Sequence, residues 1–178
     1  MRLKHIALFW GLAEATIFFI VPDVLLTVVA TRNVKLAGKL CIWTLAGALL
    51  GGTIMFAWGQ RNIETAEAML LRVPAISFKM VRDIETQVAE KGAMATFTGP
   101  LTGKPYKIYA VEAGAETEVS FLAFLLISVP ARILRFLLLS WVTHLICLKL
   151  LAQQSGRFKL RLLAGVWLSF YGWYFWVT

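Results

Sequence analysis

Four ionisable residues stand inside long apolar runs of this 178-residue chain: Glu14, Asp23, Arg132 and Arg135. A charge at membrane depth costs on the order of several kcal/mol unless it is paired or hydrated, so charges kept there mark a path or a site. Glu14 follows Phe9-Trp10-Gly11-Leu12-Ala13 and precedes Ala15-Thr16-Ile17-Phe18, so no polar neighbour in sequence accounts for it. A charge or proton relay is open to it and to Asp23; the alternative for Glu14 is a salt bridge to Arg132 or Arg135 that pins two helices together. Arg132 and Arg135 follow Pro130, and their i, i+3 spacing puts both guanidinium groups on one face of a helix. Arginine stays charged and offers a planar fork of donors that matches a phosphate. Lys104 and Lys107, in a glycine-bearing turn over 99–107, add point charges at the rim of such a site. The alternative is that the two arginines snorkel at the end of a span.

Other chemistry finds little support. Cys41 and Cys147 lie in apolar stretches and share no ligand spacing with His5 or His144, so neither a metal site nor a disulfide is expected. Serine, histidine and acid do not stand at spacings that a nucleophilic motif needs, and no glycine-rich nucleotide loop follows a strand, which argues against an enzyme. A selectivity filter or proton-relay helix would need more repeated polar positions within the spans. No cofactor is expected.

The elements that would position these residues are membrane elements. The chain is 59% hydrophobic and 16% charged, with a mean hydropathy of +0.72, outside the range of soluble domains. The 18 Lys and Arg against 10 Asp and Glu leave +8, which in this setting reads as contact with anionic head groups; no nucleic-acid motif supports the other reading. Arg2, Lys4 and His5 before an apolar run resemble a signal peptide, but Glu14 interrupts that run and the segment is read as part of the mature fold.

Four apolar blocks, 6–31, 40–59, 119–148 and 162–177, compare with the ~20 residues a helix needs to cross hydrocarbon. In block 40–59, Gly47 and Gly51 form a small-xxx-small face for close helix approach, with Gly51 the expected contact. Block 162–177 carries Trp167, Tyr171, Trp173, Tyr174 and Trp176, suited to anchoring at an interface. Blocks 6–31 and 119–148 exceed one span and hold a proline and charges, so both are expected to be broken. Pro22-Asp23 predicts an apolar helix stopping mid-membrane and a second starting near Asp23. The segment 93–114, with Gly99-Pro100 and Gly103-Lys104-Pro105 as turn signals, predicts a second re-entrant hairpin. Residues 61–91 are soluble in character, and their apolar positions fall on single helical faces on either side of Pro74, predicting two amphipathic helices along the interface. The excess of Lys and Arg in loops is satisfied by two topologies, both with the 149–161 turn cytoplasmic.

These residues resemble a family, the DedA (VTT-domain, SNARE-associated Golgi protein) membrane proteins, and within it the small YqaA-like bacterial branch. The likeness rests on Glu14 with Phe18-Phe19-Ile20-Val21-Pro22-Asp23, on Gly47-Ala48-Leu49-Leu50-Gly51-Gly52 with Trp58-Gly59-Gln60-Arg61, and on Pro105-Tyr106-Lys107, Ala113-Gly114 and Ala131-Arg132-Ile133-Leu134-Arg135-Phe136. It covers roughly residues 8–140. Thr53 stands where the family often has an acid, Pro100 near where it has an arginine, and Ala131 where the branch usually shows glycine. The resemblance implies one all-α integral membrane domain over 1–178. Within it stand two inverted repeats of re-entrant hairpin plus transmembrane helix (6–59 and 93–148), the interfacial pair 61–91 and a last span 162–177. It further implies a multi-pass protein of the bacterial inner (cytoplasmic) membrane that translocates or scrambles a phosphate-bearing lipid, polyprenyl phosphate or phospholipid. Arg132, Arg135, Lys104 and Lys107 would engage the phosphate while Glu14 and Asp23 set charge balance. Its partners are membrane lipids, with a homo-oligomer left open. A non-transporting membrane scaffold, whose charges are structural salt bridges, is the rival expectation.

Overall fold

A computed structural model of the chain describes residues 2–99 and 103–177, and its regular structure is helical, with no strand among the described residues. Helix α1 (Arg2–Glu14) is separated from α2 (Asp23–Ala30) by an irregular stretch, and a turn then leads into the long α3 (Val34–Arg61). Asn33 starts α3 by accepting from the Leu36 N–H at 2.9 Å. Helices α4 (Ile63–Leu70) and α5 (Phe78–Lys91) follow, capped by Asn62 and Ser77. A 3₁₀ turn (Gly92–Met94) leads to the short α6 (Ala95–Thr98), then α7 (Tyr106–Ala115), the long α8 (Phe121–Lys149) and α9 (Gly156–Val177).

The expected break in 6–31 is present, but the first helix ends at Glu14, well before Pro22. The N–H groups of Thr16, Ile17 and Phe18 all converge on the Ala13 carbonyl, and the Thr16 hydroxyl donates to the Leu12 and Ala13 carbonyls. This local side-chain bonding competes with helix continuation. Pro22 then precedes the first residue of α2, as Pro105 precedes the first residue of α7, positions where a missing N–H costs nothing. The turn between α6 and α7 runs through Gly103, whose φ of +77° suits glycine. Gly99 lies against the Tyr109 ring at the start of that turn, and Pro100 lies outside the described residues.

The break expected in 119–148 is absent: α8 runs unbroken through Pro130. Proline removes one intrahelical bond, but Phe124, Ser128, Arg132, Phe136 and Ser140 recur every fourth residue as a buried stripe on α8. Packing along that stripe holds the helix through the missing bond. The last helix begins at Gly156, ahead of the expected 162, because the Ser155 hydroxyl caps it by accepting from the Phe158 N–H at 3.2 Å.

Helix α3 is the centre of the fold. Its buried positions Ala37, Leu40, Cys41, Thr44, Gly47, Ala48, Gly51, Gly52, Met55, Phe56 and Gly59 repeat with helical spacing. A side chain at Gly47 would collide with the Leu8 carbonyl of α1, and one at Gly59 with the Val111 carbonyl of α7, so both helices touch α3 backbone to backbone. Gly51 meets Leu12 of α1 and Ala15 just beyond its end, as its spacing predicts, but the tighter approach is at Gly47. The two amphipathic helices pack as predicted around Pro74, burying Ala66, Leu70, Val81, Ile84 and Val88 against Ile108, Tyr109 and Val111 of α7.

By length and composition α3 and α8 are each able to cross a membrane. On α8 the residues away from the buried stripe, among them Leu122, Leu126, Leu134, Leu138 and Trp141, are large, apolar and exposed.

Candidate functional site

The interruption between α1 and α2 brings charge into the middle of the fold. Glu14, the last residue of α1, is held against α8 because glycines seat α1 tightly on α3. Its carboxylate accepts from both terminal nitrogens of Arg132: Nη1 donates to Oε1 at 3.4 Å, and Nη2 donates to Oε2. The Arg132 side chain is 1% exposed and that of Glu14 6%, so the pair is shut away from solvent. The guanidinium also lies over the rings of Tyr106, 4.5 Å from the centroid, and Phe136, 5.2 Å away. Tyr106 is itself fixed by donating to the Ser128 hydroxyl at 3.0 Å.

One turn further along α8, Arg135 pairs with Asp23, Nη2 to Oδ2 at 2.6 Å. Asp23 is fully buried in the first turn of α2, where the helix N-terminus favours a carboxylate. Arg135 remains 22% exposed. The third cation is Lys107 of α7, whose Nζ donates to the Phe18 carbonyl at 2.7 Å. Phe18 stands in the stretch that has left the helix, so its carbonyl lacks a helical partner and Lys107 supplies one. Lys107, in the first turn of α7, thus ties that helix to the stretch between α1 and α2.

These groups border a cavity of about 420 Å³. Its lining combines the charged side chains of Glu14, Lys104, Lys107 and Arg135 with apolar and aromatic ones, among them Phe19, Leu139, Leu163, Val166 and Phe170 with Trp167, Tyr171 and Tyr174. Of the four cations expected to engage a phosphate, Arg135, Lys104 and Lys107 line this cavity, whereas Arg132 is enclosed behind Glu14. Lys104 also reaches Asp83 of α5 at 3.5 Å. In formal charge the cluster is unbalanced: among the described residues Lys107, Arg132 and Arg135 stand with Glu14 and Asp23, three positive charges to two negative. No group of His, Cys, Asp and Glu among the described residues is arranged to hold a metal ion.

Two features of the site escaped the sequence reading. The first is α9, which closes the cavity although none of its described residues is buried. Its ties are the Trp167 Nε1–H donating to the Thr27 hydroxyl at 3.1 Å, the Tyr171 hydroxyl accepting from the Val21 N–H at 2.9 Å, and edge contacts of Phe19 with Tyr171 and Phe175. Both hydrogen bonds land on either side of Asp23. The second is Glu112 of α7, beneath α4 and α5 and outside α3 and α8. It is 4% exposed and its Oε1 has no partner among the described residues. Burial, reinforced by the nearby charges of Glu67 and Glu85, pushes its carboxyl up to about 8. Glu112, Glu116 and Glu118 follow closely in sequence, and nothing in their spacing singles out the one that is covered.

No family model matches the chain, and no solved structure does. An uncharacterized protein of Haemophilus influenzae is 28% identical over 144 residues, a stretch that spans 77% of this chain and 72% of that relative.

Proposed function

We propose that this chain is a DedA-like protein of the bacterial inner membrane that moves a phosphate-bearing lipid, polyprenyl phosphate or phospholipid, between leaflets. The observation that carries this reading is the cavity itself, whose lining combines Arg135, Lys107 and Lys104 with aliphatic and aromatic side chains. A ligand suited to such a lining has an anionic head and an apolar body. Arginine's fork would take two phosphate oxygens and the lysines one each, while the apolar chain lies along α8 and α9.

The membrane setting is supported by α3 and α8, both long and apolar enough to span, and by the exposed apolar flank of α8. In this reading the sequence from α1 to α3 and that from α6 to α8 are inverted repeats. Each has a short helix, an interruption at a proline, a second helix and a long one, and the interruptions are the re-entrant tips where a transporter's site is expected. The helices α4 and α5 lie at the interface and α9 crosses the bilayer last.

A second reading, a membrane scaffold without transport, is favoured by one observation. Glu14 with Arg132 and Asp23 with Arg135 already neutralise one another without any ligand. Leaflet exchange in liposomes holding the purified protein separates the two, using labelled polyprenyl phosphate, phospholipid and uncharged polyprenol. Transport predicts exchange of the phosphate-bearing probes that is lost in Arg135→Gln. Folded protein that exchanges none of the probes makes the chain a scaffold.

A further inference from the structure

The aromatic residues of α9 invite a structural explanation, as anchors and filler, but Tyr171 differs from its neighbours in how its hydroxyl is used. Its oxygen accepts from the Val21 N–H at 2.9 Å, which fixes the oxygen beside the interruption. Among the described residues the hydroxyl's own proton is donated to no group, although Tyr171 is partly buried and lines the cavity. Asp23, Arg135 and Glu14, all of the buried cluster, are the charged groups that act on it. A phenol whose oxygen is pinned and whose proton is unspent, lining a cavity with the cation Arg135, is a donor open to an anionic acceptor.

We propose that the Tyr171 hydroxyl donates a hydrogen bond to the anionic head group held by Arg135 and Lys107, so that the C-terminal helix α9 is part of the binding site and sets its preference for phosphate. This deepens the lipid-phosphate reading and rests on it. The Val21 N–H and the head group occupy opposite sides of one oxygen, so binding needs no rupture of the tie between α9 and the interruption. The fixed oxygen also sets the distance from Arg135 at which a phosphate is held, which lysine and arginine side chains alone, being long and rotatable, do not.

The test compares binding of polyprenyl monophosphate with that of the matched polyprenol to the purified full-length chain in micelles, since the pair differ only in the head group. The phosphate-to-alcohol affinity ratio of the unaltered protein is expected to fall about tenfold in Tyr171→Phe, the loss of one hydrogen bond to a charged group. In Thr27→Val, which frees Trp167 but leaves Tyr171 in place, the ratio is expected to stay. If Arg135→Gln lowers the ratio and Tyr171→Phe does not, Tyr171 is a tie for α9 only and the proposal falls while the lipid-phosphate reading stands. A ratio of one in the unaltered protein overturns both. Should Tyr171→Phe not fold, the native chain labelled with [13C]tyrosine gives the answer. A tyrosine Cζ resonance that shifts with the phosphate but not with the alcohol, and that a nitroxide at position 168 broadens, upholds the donor role; no such shift overturns it.

Discussion

Removing one partner of the Glu14–Arg132 pair is expected to destabilise the protein far more than removing both. Arg132 is 1% exposed and its guanidinium touches Glu14, Tyr106 and Phe136. Glu14→Gln leaves that charge over two aromatic faces, which offset only about 1–2 kcal/mol each. An uncompensated buried charge costs about 3–5 kcal/mol, so the aromatic contacts lose to the desolvation of the orphaned cation. Arg132→Met leaves the carboxylate of Glu14 in the same enclosure, with only the more distant Lys107 and Arg135 as counter-charges. The double variant Glu14→Gln, Arg132→Met strands neither charge and keeps nearly the same volume, so its loss should be smaller than that of either single variant. The assay is reversible unfolding in mixed micelles, with the four proteins forming a double-mutant cycle. A double variant whose loss equals the sum of the two single losses would refute the idea that the pair is one enclosed unit.

Four further outcomes follow from the packing and the charges. Gly47→Leu should abolish folding of the α1–α3 contact, seen as loss of expression or of a cooperative melt, because its side chain would meet the Leu8 backbone; the same change at Gly38, which has open space, should be tolerated. Lys107→Met strands the Phe18 carbonyl and should cost about 1–3 kcal/mol in the same unfolding assay. Glu112 has a folded-state value raised to about 8 above an ordinary value of 4.5, so its contribution to stability is fully present below about 4.5 and is lost as pH rises through about 8. Stability measured between these limits should therefore fall with pH in the unaltered chain and fall less in Glu112→Gln; identical slopes would show that the carboxyl is not buried. Thr27→Val should free Trp167 alone, read as faster exchange of its indole N–H while the tie of Tyr171 to Val21 holds.

Legibility tracked the range over which each interaction acts. The amphipathic pair around Pro74, the glycine row of α3 and the interruption near Pro22 rest on spacing within one segment, and each is readable from the residues alone. The end of α1 at Glu14 was missed because Thr16 bonds back to Leu12 and Ala13, a choice that composition does not reveal. Pro130 misled because a proline's local cost is visible in sequence, whereas the stripe from Phe124 to Ser140 that outweighs it is set by α3 and the shorter helices around it. The four charges within apolar runs stood out by their surroundings, and a Glu14 salt bridge to Arg132 or Arg135 was one expected role, but which arginine it would meet, and that Asp23 would take the other, was not readable. Glu14 and Arg132 are 118 positions apart, and the i, i+3 spacing of Arg132 and Arg135 concealed that one would be enclosed and the other left at a cavity. Lys107 reads as a rim cation until Phe18 is seen to need a donor. Tyr171 reads as an anchor until α9 folds back over the first interruption.

The claim on which the functional reading depends is that a lipid phosphate sits between the first interruption, α8 and α9. Photo-crosslinking with a polyprenyl phosphate that carries a diazirine close to its head group, mapped by mass spectrometry on the protein in liposomes, tests it most directly. Adducts on Leu139, Val166 and Phe170, competed by unlabelled polyprenyl phosphate and not by polyprenol, are the expected result. Adducts confined to the outward residues Leu134, Leu138 and Trp141, or a pattern that polyprenol competes equally, would contradict it.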